Sequence, residues 1–150
     1  MKYFVLISVF FLMETVSAKE PDTNSDRKNN KGIEFHSGSW EEALAQAKKE
    51  DKAIFLDISA SWCGPCKMLK ANTFINKDVG DYYNENFINV MVDGEKGEGI
   101  SLARKFRISG YPTMIYLNSA GELIARTSGY REPAVLIEMG KQVLGQQTAQ

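Results

Sequence analysis

The chain has 150 residues, with 18 Lys and Arg against 19 Asp and Glu, for a formal charge of −1. That length suits one domain of ordinary size, and the near-balance of charge excludes the clustered Lys and Arg that grip nucleic acid. A single His, His36, excludes His-rich metal sites, and together with two Cys it falls short of the four ligands of a closed zinc site.

Met1-Lys2 is a short positive start, and Tyr3 to Met13 is apolar except for Ser8. Val16-Ser17-Ala18 follows as a small-residue cleavage site, so residues 1–18 read as a secretory signal peptide. The apolar run is shorter than the roughly 20 residues a bilayer-spanning helix needs. An N-terminal anchor or a core strand is the competing reading. Residues 19–31 are polar and lack apolar periodicity, as in a disordered leader.

A single domain is expected over residues 32–145, followed by a flexible tail at 146–150. Gly32 to His36 alternates and predicts a short edge strand. Ser39-x-x-Glu42 is a capping box, and Trp40, Ala43, Leu44 and Ala47 behind it form one helical face. Ala53 to Ile58 is nearly all apolar, as in a strand buried on both faces, with Asp57 as the anomaly. From Cys63 the pattern is helical, with Met68 and Leu69 expected inward. A second helical piece near Asn76 carries Val79, Tyr82 and Tyr83. Phe87 to Val92 reads as another buried strand. Gly94 to Gly99 is a charged loop, and Ile100, Leu102, Ala103 and Phe106 mark a short helix. Thr113 to Leu117 and Leu123 to Thr127 form a hairpin about the turn Ser119 to Glu122. Pro133 opens a last helix whose apolar face is Val135, Leu136, Met139, Val143 and Leu144. This alternation with a terminal hairpin predicts an α/β domain, a mixed sheet with helices on both faces.

The chemistry concentrates in Trp62-Cys63-Gly64-Pro65-Cys66-Lys67, which holds both cysteines. Two thiols three positions apart close a small ring and open again. Cys63 falls between a strand and a helix start, where free amides favour a thiolate. It is expected to be the more exposed of the two and to attack, with Cys66 one turn inside and resolving. Trp62 flanks the sulfur as a docking surface. Gly64 permits a tight turn, and Pro65 suits an early helical position where a missing N–H has no partner. Lys67 either adds charge or is a solvated helix lysine. A static structural disulfide is the alternative, although a separation of three cross-links little chain. Asp57, six positions before Cys63, is expected to gain a raised pKa by burial and to take the Cys66 proton. The alternative is a strand-end Asp that caps a loop. Pro112, just before an apolar strand, is either cis or a trans loop proline.

These residues resemble the thioredoxin superfamily. The hexapeptide from Trp62 to Lys67 matches its signature, Asp57 stands at its buried acid, Tyr111-Pro112-Thr113 resembles its cis-proline loop, and Gly129-Tyr130 resembles the glycine loop beside the substrate groove. The resemblance spans about Gly32 to Leu144. It implies a thioredoxin fold, reversible dithiol–disulfide exchange without a cofactor or metal, and a substrate segment bound as an added strand. Asn89 stands where the family often places a lysine near the buried acid. The Asp93-to-Gly99 insert and the segment Thr73 to Tyr83 are similar to exported bacterial members and to the C-terminal domains of periplasmic thiol:disulfide interchange proteins. The Gly64-Pro65 dipeptide is typical of reducing members. The implied protein is a periplasmic monomer that reduces or isomerises protein disulfides and takes electrons from a membrane donor protein. A redox-inert module that binds through Trp62, Tyr111 and Tyr130 on the same fold is the competing function.

Overall fold

Ser39 and Glu42 form the predicted capping box: the Ser39 hydroxyl accepts from the Glu42 amide at 3.2 Å, and the Glu42 carboxylate takes the Ser39 amide at 2.7 Å. Helix α1 (Trp40–Glu50) then buries Trp40, Ala43 and Ala47 and half-buries Leu44. The computed structural model describes residues 31–147. The signal-peptide reading at 1–18, all but the last residue of the leader reading at 19–31, and residues 148–150 lie outside the described residues.

Strand β1 (Ala53–Ser59) is the centre of a four-stranded sheet and is buried along its whole length. It runs parallel to β2 (Phe87–Asp93) and antiparallel to β3 (Thr113–Leu117), and β4 (Leu123–Ser128) completes the order β2-β1-β3-β4. Period-two alternation divides the core. Ile54, Leu56 and Ile58 face α1 and α4 (Gly97–Lys105), meeting Trp40, Leu102 and Phe106. Phe55 faces the opposite layer, α3 (Lys77–Asn86) and α5 (Pro133–Gln147), meeting Val79, Tyr83 and Leu136. Helices therefore cover both faces, as a thioredoxin fold requires. The Tyr83 hydroxyl donates to the Leu136 carbonyl at 2.7 Å and takes the Tyr116 hydroxyl at 2.7 Å, which ties α3, α5 and β3 together inside that layer.

Four local expectations change. Gly32 to His36 is not a strand. Only the His36 amide bonds the neighbouring strand, at Asn89 O (2.7 Å), while the Ile33 and Glu34 amides bond Phe74 O and Asn84 Oδ1. Helix α2 (Gly64–Met68) passes into a π-helical turn (Leu69–Thr73) that buries Leu69 but leaves Met68 51 % exposed. Cys66 fixes the inward face, and a residue two positions later points away from it. Strand β2 is buried only through Val90, since it is a sheet edge. Helix α5 runs on to Gln147, so the first residues of the expected tail are helical. No helix among the described residues is long and apolar enough to cross a membrane.

Candidate active site

Beyond Ser59 the chain turns, with the Cys63 amide donating to Ala60 O at 3.2 Å, and Cys63 becomes the N-cap of α2. Its backbone is extended, and its sulfur accepts the Cys66 amide at 3.2 Å. An amide aimed at sulfur stabilises a negative charge there, the condition for a nucleophilic thiolate. Pro65 lies in the first turn, where its missing N–H leaves no helical bond unmade. Cys63 and Cys66 are joined as a disulfide, and no other described residue is a cysteine.

The expected difference in access is nearly absent. Cys63 is 3 % exposed and Cys66 1 %; they cluster with Ala60, and Tyr111 packs against that cluster. The open surface belongs to the rim instead. Trp62 is 66 % exposed, its indole N–H donates to Glu95 Oε2 at 2.9 Å, and its ring meets Tyr111 edge to face at 6.1 Å. The Tyr111–Pro112 bond is cis, the first of the two alternatives open to sequence. The Gly129 amide donates to Pro112 O at 2.9 Å from a backbone at φ +87°, a conformation that favours glycine. Gly64 and Pro65 are exposed, with open space beyond the Gly64 backbone. Tyr130 is half-buried and packs against the α3–α5 layer.

Asp57 is fully buried. Alternation places it on the Phe55 side of β1, the layer that contains Leu69 of the helix carrying Cys66. Lys70, four residues after Cys66 on that helix, is near enough for its charge to act on Asp57. Ser59, two residues along the strand and so on the same face, donates its hydroxyl to Asp57 Oδ2. Oδ1 has no partner among the described residues. Burial lifts the carboxyl from 3.8 to about 6, against the Ser59 bond and the Lys70 charge, which both pull it down. Asn89 does not serve this acid. It pairs with Phe55 in the sheet, and its amide group donates to Glu34 O, Tyr83 O and Asn84 Oδ1. The positive charge that acts on Asp57 comes instead from Lys70.

Ser59, Lys70 and Glu95 were not singled out from sequence. Ser59 had a signal in its i+2 spacing from Asp57, and Lys70 in its i+4 spacing from Cys66. Glu95 had none, since its position depends on how the loop before α4 folds. No His, Cys, Asp and Glu group among the described residues is arranged to hold a metal.

Residues 40–144 match the family model described as a thioredoxin-like domain. The chain belongs to the thioredoxin-like family. It is 30 % identical to thioredoxin H2-1 of Oryza sativa subsp. japonica over 116 residues, 77 % of this chain and 79 % of that protein. It is 34 % identical to the thiol:disulfide interchange protein DsbD of Vibrio cholerae over 92 residues, 59 % of this chain but 15 % of that protein. It spans 9 % of spermatogenesis-associated protein 20 of Rattus norvegicus, at 37 % identity over 81 residues, 54 % of this chain. Among solved structures, a Bacteroides thetaiotaomicron protein assigned as a disulphide-isomerase is 40 % identical, with a TM-score of 0.67 over 76 % of this chain and 94 % of that one. The C-terminal domain of Neisseria meningitidis DsbD is 28 % identical, with a TM-score of 0.57 over 68 % of this chain and 91 % of that one. The thioredoxin-like chain thus carries a C-x-x-C disulfide on the fold of known thiol-disulfide proteins.

Proposed function

We propose that this protein is an exported thiol-disulfide oxidoreductase that reduces protein disulfides, with Cys63 as nucleophile, Cys66 as resolving thiol and Asp57 as proton acceptor. One observation carries the reading: the Cys63 sulfur caps a helix start and receives the Cys66 amide. In the reduced form a Cys63 thiolate attacks one sulfur of a substrate disulfide. That S–S bond breaks, a mixed disulfide forms, and the departing thiolate takes a proton from water. Asp57, through its unpartnered Oδ1, takes the Cys66 proton. The Cys66 thiolate attacks Cys63 Sγ, releases the second substrate sulfur as a thiolate that takes a proton from water, and closes the Cys63–Cys66 disulfide. Two electrons have passed to the substrate.

The rim supplies binding. Trp62, Gly64 and Pro65 form one wall, and Tyr111, Pro112, Gly129 and Tyr130 the other, along which a substrate segment lies as an added strand. In an oxidising compartment the pair must be reduced again, so a membrane thiol donor is the electron source. The similarity to the DsbD C-terminal domain supports such a partner.

The test is reduction of an insulin-type disulfide by the purified chain. Activity lost in Cys63→Ser, with mixed disulfides accumulating on Cys66→Ser, is expected; full activity in Cys63→Ser sinks the reading. Export is tested separately by the N-terminal mass of the cell-envelope form, expected to begin at Lys19.

A further inference from the structure

Helix α4, like α1 at Asp51, closes on a left-handed residue that is not glycine. Arg107, in the turn after Lys105, holds a left-handed backbone at φ +51°. Its amide bonds Arg104 O at 3.1 Å, and the Ile108 amide bonds Ala103 O at 2.8 Å. Glycine fits such a helix-ending position without steric cost, whereas a side chain there is strained. Arg107 is exposed and packs into no core, so stability does not account for it.

Arg107 lines a cavity of about 290 Å³ whose other walls include Ile108, Ser109, Thr113, Arg126, Thr127 and Ser128. Arg126 is anchored by one bond, Nη1 to Phe106 O at 3.1 Å, which leaves its remaining N–H groups free of that carbonyl. No ion pair among the described residues involves an arginine. The hydroxyls of Thr113 and Ser128 are already joined at 3.0 Å, and Thr113 also donates to Gly110 O. Besides the Ser109 hydroxyl, the charged side chains that line the cavity are those of Arg107 and Arg126.

The cavity adjoins the groove. Thr113 directly follows cis-Pro112, Ser128 directly precedes Gly129, and the two are paired across β3 and β4. The opposite rim is acidic, with Glu95 on Trp62. We propose that the cavity is a carboxylate subsite of the substrate groove, in which Arg107 and Arg126 receive an acidic side chain from the polypeptide segment whose disulfide is exchanged. The inference rests on the oxidoreductase reading above and deepens it. Guanidinium groups recognise carboxylates in paired, charge-assisted bonds. The opposite signs on the two rims would orient a segment with its acid on the β4 side of its cysteine.

The experiment compares two cystine-looped peptides that differ only in two residues flanking the disulfide, Glu in one and Gln in the other. The wild type should favour the Glu peptide about tenfold in kcat/KM, through KM, as one charge-assisted contact supplies. In the Arg107→Gln/Arg126→Gln double variant the preference should fall below about twofold, and salt should shrink it in the wild type. Lys141→Gln, a charge change on α5, should keep it. No preference in the wild type, survival of the preference in the double variant, or an equal loss in Lys141→Gln overturns the proposal. Millimolar inorganic phosphate should slow the Glu peptide more than the Gln peptide, and the reverse order overturns the proposal as well. A Glu peptide with serine for both cysteines, followed by Trp62 fluorescence, separates binding from redox chemistry. If it binds while neither looped peptide is reduced, the oxidoreductase reading fails and the subsite stands.

Discussion

The Ser59 hydroxyl donates to Asp57, the one fully buried carboxylate of the sheet, and leaves the other carboxylate oxygen without a partner. A desolvated acid held by one neutral donor is a poor place for charge and a good place for a proton.

Folding stability therefore depends on pH with a definite sign. The Asp57 carboxyl titrates near 6 in the fold against 3.8 unexposed to these neighbours. Between those values the folded chain holds a proton that the unfolded chain has released, so stability falls as pH rises through about 4 to 6 and is flat above. The total is about 3 kcal/mol. Asp57→Asn should remove that loss: its urea midpoint at pH 7 should lie above wild type and vary less between pH 4 and 7. A variant no more stable than wild type at pH 7 contradicts the buried charge.

Ser59→Ala takes away a bond that holds the Asp57 carboxyl down. The pH at which the resolving step rises should move upward, slowing it several-fold near pH 6 and hardly at pH 8. Single-turnover release of substrate thiol reads this directly, and Ser59→Thr should restore much of the original profile. An unchanged profile separates Ser59 from the proton step.

The sheet and its helices were legible because β1 is apolar on both faces and α1 carries a complete capping box. The cysteine pair was legible because a spacing of three across a strand-to-helix junction leaves little freedom. Gly32 to His36 was not, because its alternation is real but its amides go to Phe74 and Asn84 rather than to a ladder. The burial of Cys63 was not legible, because the cluster around the pair includes a contact from Tyr111, far away in sequence. Long-range contacts of this kind leave no periodicity to read.

Asn89 carries the attachment of that N-terminal segment. Its amide group bridges Glu34 O, Tyr83 O and Asn84 Oδ1, and its own backbone carbonyl takes the His36 amide. Asn89→Ala should cost about 1–3 kcal/mol in urea unfolding, since the side-chain bonds are lost inside the fold. Hydrogen exchange should speed up at the Glu34 and His36 amides while the β1 amides stay protected. Unchanged exchange at those two positions rules out the tether.

Glu95 holds Trp62 by a single bond on an exposed rim. Exposed charge-assisted contacts contribute modestly, so Glu95→Ala should lower kcat/KM for a protein disulfide only about two- to five-fold. The loss should sit in KM, because in the proposed mechanism the indole positions substrate and lies off the proton path through Asp57. Trp62 emission should shift as the ring gains freedom against Tyr111, and the apparent pKa of the resolving step should not move. A shift in that pKa would place Glu95 in the proton chemistry and overturn its role as a purely positional contact.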